Sequence, residues 1–321
     1  MTAPVSVVIP VYNGAEFLRR LLRSIASQTV EPLEVIAVDN GSTDDAPEIA
    51  VKMGARLIAM GRNAGFAAAV NRGIKAAKGE GIALINSDVE LDPRWLELLW
   101  GRARDQSFAT GKILQKGSPK LLDGSFDLIS RGACSWRAGA GRPDGALADA
   151  RAIRFCSATA AVYHADIFQK AGGFDESFDS YLEDVDFGLR CAAAGFAGWY
   201  VPEAVCRHHG SATFGRWSPR VVRLIARNQL FLVARHYPGT LIRRWWWPIA
   251  VGQLLWGALA IRHGCGLAYF GGKLEGLRRF GQLRGATPGL EEVIAESERE
   301  IYRIQSEDGF DAYWKVYFRL T

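Results

Sequence analysis

Four times in its first hundred residues the chain runs through a short apolar stretch of strand character, closes it with a polar residue, and three times follows directly with helical spacing. Residues 5–10 (VSVVIP), 33–39 (LEVIAVD), 56–60 and 81–86 (GIALIN) are the strands. The longer runs are continuous rather than alternating, as expected of strands covered on both faces. Residues 15–27 put Phe17, Leu18, Leu21, Leu22 and Ile25 on one helix side, with Arg19, Arg20 and Arg23 on the other. Residues 40–45 form a turn able to cap the next helix, 66–78 are Ala-rich, and 93–104 form a helix started by Pro93. This βαβαβαβ order predicts a mostly parallel sheet with right-handed crossovers.

In such sheets ligands collect beyond the carboxyl ends of the strands. Asn13, Asp39, Asn63 and Asp88 follow the four strands in turn. Any one of them is an ordinary turn residue; four at successive strand ends point to a binding edge. Residues 106–155 are Gly-rich and weakly periodic, read as short strands and loops forming a mobile acceptor-side segment. A helix is expected at about 182–194, and acidic helix-forming sequence runs to about 305 before an aromatic end (Tyr313, Trp314, Tyr317, Phe318).

The 321 residues are 49% hydrophobic and 23% charged, enough to bury a large core and too apolar for wholesale disorder. The five cysteines (134, 156, 191, 206, 265) are odd in number and widely spaced, which favours free thiols in a reducing cytoplasm. The N-terminus lacks the basic region of a signal peptide. Charge is uneven. From Arg216 to Arg284 twelve Lys and Arg face one acid, Glu275, for a net +11, which leaves −6 for the rest of a +5 chain. Such a patch suits an anionic surface such as lipid headgroups or diphosphates.

Three clusters could carry chemistry. Asp88 ends a buried strand in Asn86-Ser87-Asp88, with Glu90 and Asp92 nearby. One carboxylate completed by phosphate oxygens and water suits Mg²⁺ or Mn²⁺. Glu183 and Asp184 are adjacent, so on a helix they diverge by about 100° and can play different roles. Acids at a helix start are often mere dipole partners. The Gly172-Gly173-Phe174-Asp175 turn and Asp186 around them argue for more. His208 and His209, beside a Gly-Ser turn, could give one metal ligand or a phosphate contact; no cysteine pair accompanies them as in a zinc site.

The segments VSVVIPVYNG, EVIAVDNGSTD, NAGFAAAVNRG, LINSDVELDP, GGFDESFDSYLEDVDFGLR and HHGSAT occur in that order. Together, over about residues 4 to 240, the chain resembles the family 2 glycosyltransferases, in their bacterial rhamnosyltransferase-like branch. The resemblance implies an α/β GT-A fold: a mostly parallel nucleotide-binding sheet flanked by helices, here with a helical, basic and aromatic C-terminal extension. It implies a catalytic domain over 1–215, with a nucleotide-sugar half to about 105 and an acceptor half from 106, and a helical region over 216–321. It also implies a divalent metal, Mg²⁺ or Mn²⁺, and inversion at the anomeric carbon by direct displacement. Transferred residue by residue, Pro10, Tyr12 and Asp39 would hold the nucleotide base, and Asn63 and Gly65 would lie near ribose and phosphates. Asp88 would be the last acid of the metal motif, on the donor side. His208, with His209 as the alternative, would complete the metal site. Asp184 would be the catalytic base with Glu183 beside it, and Gly173, Phe174 and Asp175 would lie on the acceptor side. Two departures stand out. The metal motif reads Asn-Ser-Asp, with one carboxylate, and Ser157 stands where relatives often have glycine.

The implied reaction is transfer of a sugar from a nucleotide-diphosphate donor, first choice dTDP-rhamnose, to a glycan or polyprenyl-linked glycan in cell-surface polysaccharide synthesis. A UDP-hexose or UDP-N-acetylhexosamine donor is the alternative. A nucleotidyltransferase would show a Gly-rich phosphate loop with a basic residue near the N-terminus, and PVYNGAEF lacks it. A non-catalytic membrane scaffold of the same fold would be favoured by loss of Asp88 or Asp184, and both are present. Residues 245–261 form a 17-residue apolar run with one Gln and two Gly, at the short limit for a spanning helix. Trp246, Trp247, Arg243 and Arg244 beside it suit a headgroup interface. A helix lying on or dipping into an anionic membrane is the first expectation, with a buried or homo-oligomer contact and a true span as alternatives. The expected location is cytoplasmic, peripheral on the inner face of the cell membrane. No nucleic-acid module accompanies the basic residues, so nucleic acid is not an expected partner.

Overall fold

The computed structural model describes residues 2–210 and 217–321. Residues 211–213 of the HHGSAT motif, and Arg216 at the start of the basic segment, lie outside the described residues. The chain begins with alternating β1 (Thr2–Val11), α1 (Ala15–Ala26), β2 (Glu31–Asp39), α2 (Ala46–Lys52), β3 (Arg56–Ala59), α3 (Phe66–Ala76) and β4 (Gly81–Ile85). A short β5 (Val89–Leu91) leads to α4 (Trp95–Gln106). This helix starts two residues after Pro93, because the Trp95 N–H donates to Asp92 O and closes a turn first. The middle of the chain holds β6 (Phe108–Gln115), β7 (Ser118–Gly124), β8 (Asp127–Ile129), β9 (Ser135–Arg137), β10 (Arg151–Ile153) and β11 (Ala160–His164). After α5 (Asp166–Lys170) and a 3₁₀ turn (Glu176–Phe178) come α6 (Glu183–Ala193) and β12 (Gly198–His208). The C-terminal third is helical: α7 (Pro219–His236), α8 (Gly239–Arg244), α9 (Trp246–Arg262), α10 (Gly266–Phe280), α11 (Leu290–Asp308) and α12 (Ala312–Leu320).

The main sheet runs β10-β12-β6-β11-β4-β1-β2-β3, with β5 paired to β12 and β7 to β6. β3, β2, β1 and β4 are mutually parallel, and β11 is antiparallel to both β4 and β6. β6 and β12 are parallel to each other, and therefore point the same way as the first four strands. The Gly-rich middle is thus built into the sheet, with β6 between β11 and β12. On β1, Val7 and Ile9 pack with the leucines of α1 and with Trp95 and Leu99 of α4, while Val8 faces Val70 of α3 and the layer containing Phe187 of α6. Both faces are covered, which is why the sequence of this strand does not alternate.

The C-terminal helices share the core of the catalytic half. Val251, Ile301, Ile304, Trp314 and Tyr317 pack in one cluster with Phe126, Leu128 and Cys134. Tyr317 Oη accepts from Gly132 N and donates to Glu298. All five cysteines are buried and none forms a disulfide. α9 buries Val251, Gln253, Gly257 and Ala260 and exposes Leu254 and Ile261, so the apolar run of the sequence is only partly a surface. Among the described residues no helix is long and apolar enough to cross a membrane.

Candidate active site

The carboxyl ends of β1, β2 and β4, the end of β12 and the start of α6 open into one cavity of about 1120 Å³. The end nearest the first three strands is walled by Pro10, Tyr12, Asn40, Asn63 and Phe66. Asp39, at the end of β2, is buried behind this wall and accepts from Ser42 N. Asn40, which sequence reading passed over, accepts from Ala64 N and donates from its amide to Asn63 Oδ1 and Gly65 O. It ties the ends of β2 and β3 together. Gly65 holds φ +92°, and a Cβ there would lie 2.5 Å from Asp179 Oδ1. This glycine therefore lets the donor-side loop approach the turn that leads to α6.

Asp88 follows β4, and His208 ends β12 where β12 pairs with β5. The register brings His208 Nε2 within 3.2 Å of Asp88 Oδ1, while Nδ1 lies 2.9 Å from Asp123 Oδ2. Burial opposes protonation of His208, but the hydrogen bonds to Asp123 and Asp88 outweigh it and lift its pKa to about 9. Burial likewise opposes ionisation of Asp88, and the bond to His208 overcomes it, so this carboxyl sits below its ordinary value. His209 points elsewhere: its Nε2 lies 3.0 Å from Glu90 Oε1 and its ring packs on Phe17.

Among the described residues no three His, Cys, Asp or Glu side chains gather as a metal cluster. The pair Asp88 and His208 nevertheless fits a hard divalent cation that takes most of its ligands from phosphate and water. Asn86 Oδ1, buried on the same wall, has no hydrogen-bond partner among the described residues and leaves one further oxygen open. A cation there would displace the His208 proton, because only neutral imidazole has the lone pair to give.

Asp184 stands in the first turn of α6, facing the cavity. Its Oδ1 accepts from Val185 N and its Oδ2 from Ala158 N, so both oxygens are held by backbone at a helix N-terminus. Glu183 is buried with Oε2 unpartnered, and burial, then the charge of Asp184, raises its pKa well above the usual carboxylate range. Asp127, unremarked in the sequence, also lines the cavity. Burial, then Asp184, raises its pKa to about 7 against the opposing charge of Arg137. Arg137 Nε lies 3.5 Å from Asp127 and Nη1 3.3 Å from Asp123, and Nη2 donates to Ser157 Oγ at 2.6 Å. The serine found where relatives often have glycine thus anchors the arginine among these acids.

Gly173, Phe174 and Asp175 lie off the cavity wall. Phe174 is buried between Phe168 and Phe187, and a Cβ on Gly173 would meet Asn71. Asp175 caps Ser177 N and pairs with Arg235 of α7. The motif that carries them positions the approach to α6. The far end of the cavity comes instead from Trp136 and from the C-terminal helices, through Trp217, Arg220, Ile225, Trp256, Leu259, Tyr313 and Trp314.

A nucleotide-sized cleft at the carboxyl edge of a mainly parallel sheet, a carboxylate–imidazole pair within it and a carboxylate at a helix start beyond define a glycosyltransferase of the GT-A fold. The description of glycosyl transferase family 2 matches residues 6–172, and that of glycosyl transferase family group 2 matches residues 152–270. The chain belongs to glycosyl transferase family 2 and is rhamnosyltransferase-like. The N-acetylglucosaminyl-diphospho-decaprenol L-rhamnosyltransferase of Mycobacterium tuberculosis is 30% identical over 295 residues, covering 82% of this chain and 92% of its own. The pre-mycofactocin glycosyltransferase of the same organism is 29% identical over 67% of this chain and 45% of its own. The solved structure of GalNAc-T7 with UDP, GalNAc and Mn²⁺ superposes with a TM-score of 0.62 at 15% identity, over 95% of this chain and 58% of that one, a likeness of fold.

Proposed function

We propose that this glycosyltransferase inverts its donor sugar with the help of Mg²⁺ or Mn²⁺, taking rhamnose from dTDP-rhamnose to a polyprenyl-linked glycan during cell-surface polysaccharide synthesis. The observation that carries this reading is the placement of Asp88, His208 and Asp184 on one cavity, between a nucleotide-sized end and an aromatic end. The mycobacterial relative, named for transfer of L-rhamnose to N-acetylglucosaminyl-diphospho-decaprenol, supports the choice of sugar and of acceptor class. Such an acceptor would place the enzyme at the cytoplasmic face of an anionic membrane.

Pro10, Tyr12 and Asn63 hold the nucleoside, with Asp39 and Gly65 shaping their loops. Asp88 and His208 would hold the cation, which when bound would offset the charge growing on the departing diphosphate. Asp184 takes the proton of the acceptor hydroxyl as its oxygen bonds to the anomeric carbon. The bond from that carbon to the diphosphate oxygen breaks on the opposite face, so configuration inverts. Burial, then the charge of Asp184, raises the pKa of Glu183, which disfavours a second charge beside the base.

Calorimetric titration with dTDP-rhamnose, UDP-glucose and UDP-N-acetylglucosamine, with and without Mn²⁺, tests the donor. The expected result is binding of dTDP-rhamnose that falls at least about tenfold on chelation. Preferential binding of either UDP-sugar would replace the donor. Failure of a folded sample to bind any of them would point to a scaffold.

A further inference from the structure

Helix α10 is built inside out. Two of its glycines face inward: a Cβ on Gly272 would lie 2.2 Å from Arg223 O, and one on Gly276 3.2 Å from Arg227 O, so α10 lies backbone to backbone against α7. Four of its large apolar residues face outward, while Tyr269 is buried. Leu267 is 92% exposed, and Phe270, Leu274 and Leu277 continue the stripe about one, two and three turns on. A helix on a water-facing surface carries the opposite arrangement, whereas small residues inward and large apolar ones outward is the arrangement of helices in lipid. On α9, Leu254 and Ile261 are likewise exposed.

We propose that the outer face of α9 and α10 seats the enzyme on an anionic bilayer, both helices lying in the plane of the headgroups. The charge around the face selects this occupant. Exposed Arg262 and Arg278 flank the stripe, and the one acid on α10, Glu275, is already paired with Arg223 and Arg227. Anionic headgroups complement such a rim. A second copy would set the same rim against itself in a two-fold contact, cation against cation. α10, at 15 residues, is about 22 Å long, too short to span and long enough to lie flat. The opposite side of α9 supplies Trp256 and Leu259 to the cavity, so one helix links the bilayer to the far end of the site. The proposal rests on the membrane-borne acceptor for its purpose and on the geometry of α9 and α10 for its place.

Sedimentation of the full chain with vesicles of phosphatidylglycerol and phosphatidylcholine, and with phosphatidylcholine alone, tests it. The wild type is expected to pellet with the anionic vesicles and much less with the neutral ones. Leu267→Glu combined with Leu274→Glu is expected to weaken binding at least about tenfold. The variant should keep the wild-type circular dichroism and its transfer to a water-soluble acceptor saccharide. The proposal is overturned if the wild type stays in the supernatant, or if the double variant binds as the wild type does. It is also overturned if the wild type is a dimer that the double variant dissociates, because the face then belongs to a second copy. If vesicle binding behaves as expected while a polyprenyl-diphosphate saccharide in detergent receives no sugar, the face stands and the acceptor reading falls.

Discussion

Glu183 and Asp184 share a peptide bond but differ in surroundings. Glu183 is buried at the cavity wall with one oxygen unpartnered, and burial, then the charge of Asp184, raises its pKa well above the usual carboxylate range. Asp184 is turned to the cavity with both oxygens steadied by backbone N–H groups. Their adjacency and the divergence of side chains on a helix were legible in the sequence; that the fold buries Glu183 and leaves Asp184 only half-buried on the same cavity was not. Asp184→Asn should lower kcat by about 10²–10⁴, the usual contribution of a general base, while calorimetry finds donor binding near that of the wild type. Full turnover by that variant would remove the base assignment. Asp88 was also legible after a recognisable strand, and His208 as one of two histidines beside a Gly-Ser turn, although the strand it ends was not read. Asp127 and Arg137 were not, since they sit on three-residue strands in a segment without periodicity, and only the fold brings them to Asp184. Asp127 keeps its proton in the folded chain up to about pH 7, whereas an unfolded aspartate releases it near pH 4. Stability from this group is therefore complete below pH 4 and is lost as pH rises to 7 and above. Asp127→Asn should raise Tm by several degrees at pH 8, with the gain shrinking toward pH 5; a thermal melt series in pH would show it, and a pH-independent difference would refute it.

The element that aims Asp184 is the turn before α6. Asp179, Tyr181 and Leu182 hold φ of +63°, +69° and +67°, a left-handed series that none of these side chains favours. Such a turn persists only where its surroundings over-determine it. Here one residue of α7 does most of that. The Asn228 amide nitrogen lies within 3.0 Å of the carbonyls of Phe178, Ser180 and Tyr181, and Arg227 Nη2 donates to Phe178 O as well. The turn was visible in the sequence as GGFDESF running into SYLED. Its clamp was not, because Asn228 looks like any polar residue on a long basic helix, and its role comes from α7 crossing the turn. Asn228→Asp keeps the shape but presents an acceptor to three carbonyls. It should lower kcat at least about tenfold, with loss of turn stability of about 1–3 kcal/mol per buried carbonyl left unpaired. Donor affinity, which depends on the other end of the cavity, should hold. An equal loss of kcat and donor binding would mean general unfolding rather than misplacement of the base.

At the scale of the whole molecule the cavity has a direction. The end proposed for the nucleotide is made by the first hundred residues, whose repeating strands and helices fix their own arrangement, and that half of the fold was read from sequence almost element by element. The other end combines β9 with helices from residue 217 onward, elements joined only through long-range packing. The sequence marked this region as basic and aromatic and placed a membrane helix at residues 245–261. The structure divides the work: α9 carries Trp256 and Leu259 into the cavity, and the outward apolar surface passes largely to α10. Glycine spacing on α10 held the clue, but its meaning required α7 on the other side. The C-terminal helices therefore line the far end of the cavity, the end proposed for the acceptor. Trp256, half-buried between Trp217 and Tyr269, offers a flat face of the kind that stacks on a sugar ring or an isoprenoid. Trp256→Ala should raise the acceptor KM about tenfold and leave donor binding unchanged. Steady-state kinetics with the acceptor varied at saturating donor, beside donor calorimetry, separates the two. A loss confined to donor affinity would reverse the direction assigned to the cavity, because the aromatic end would then hold the nucleotide.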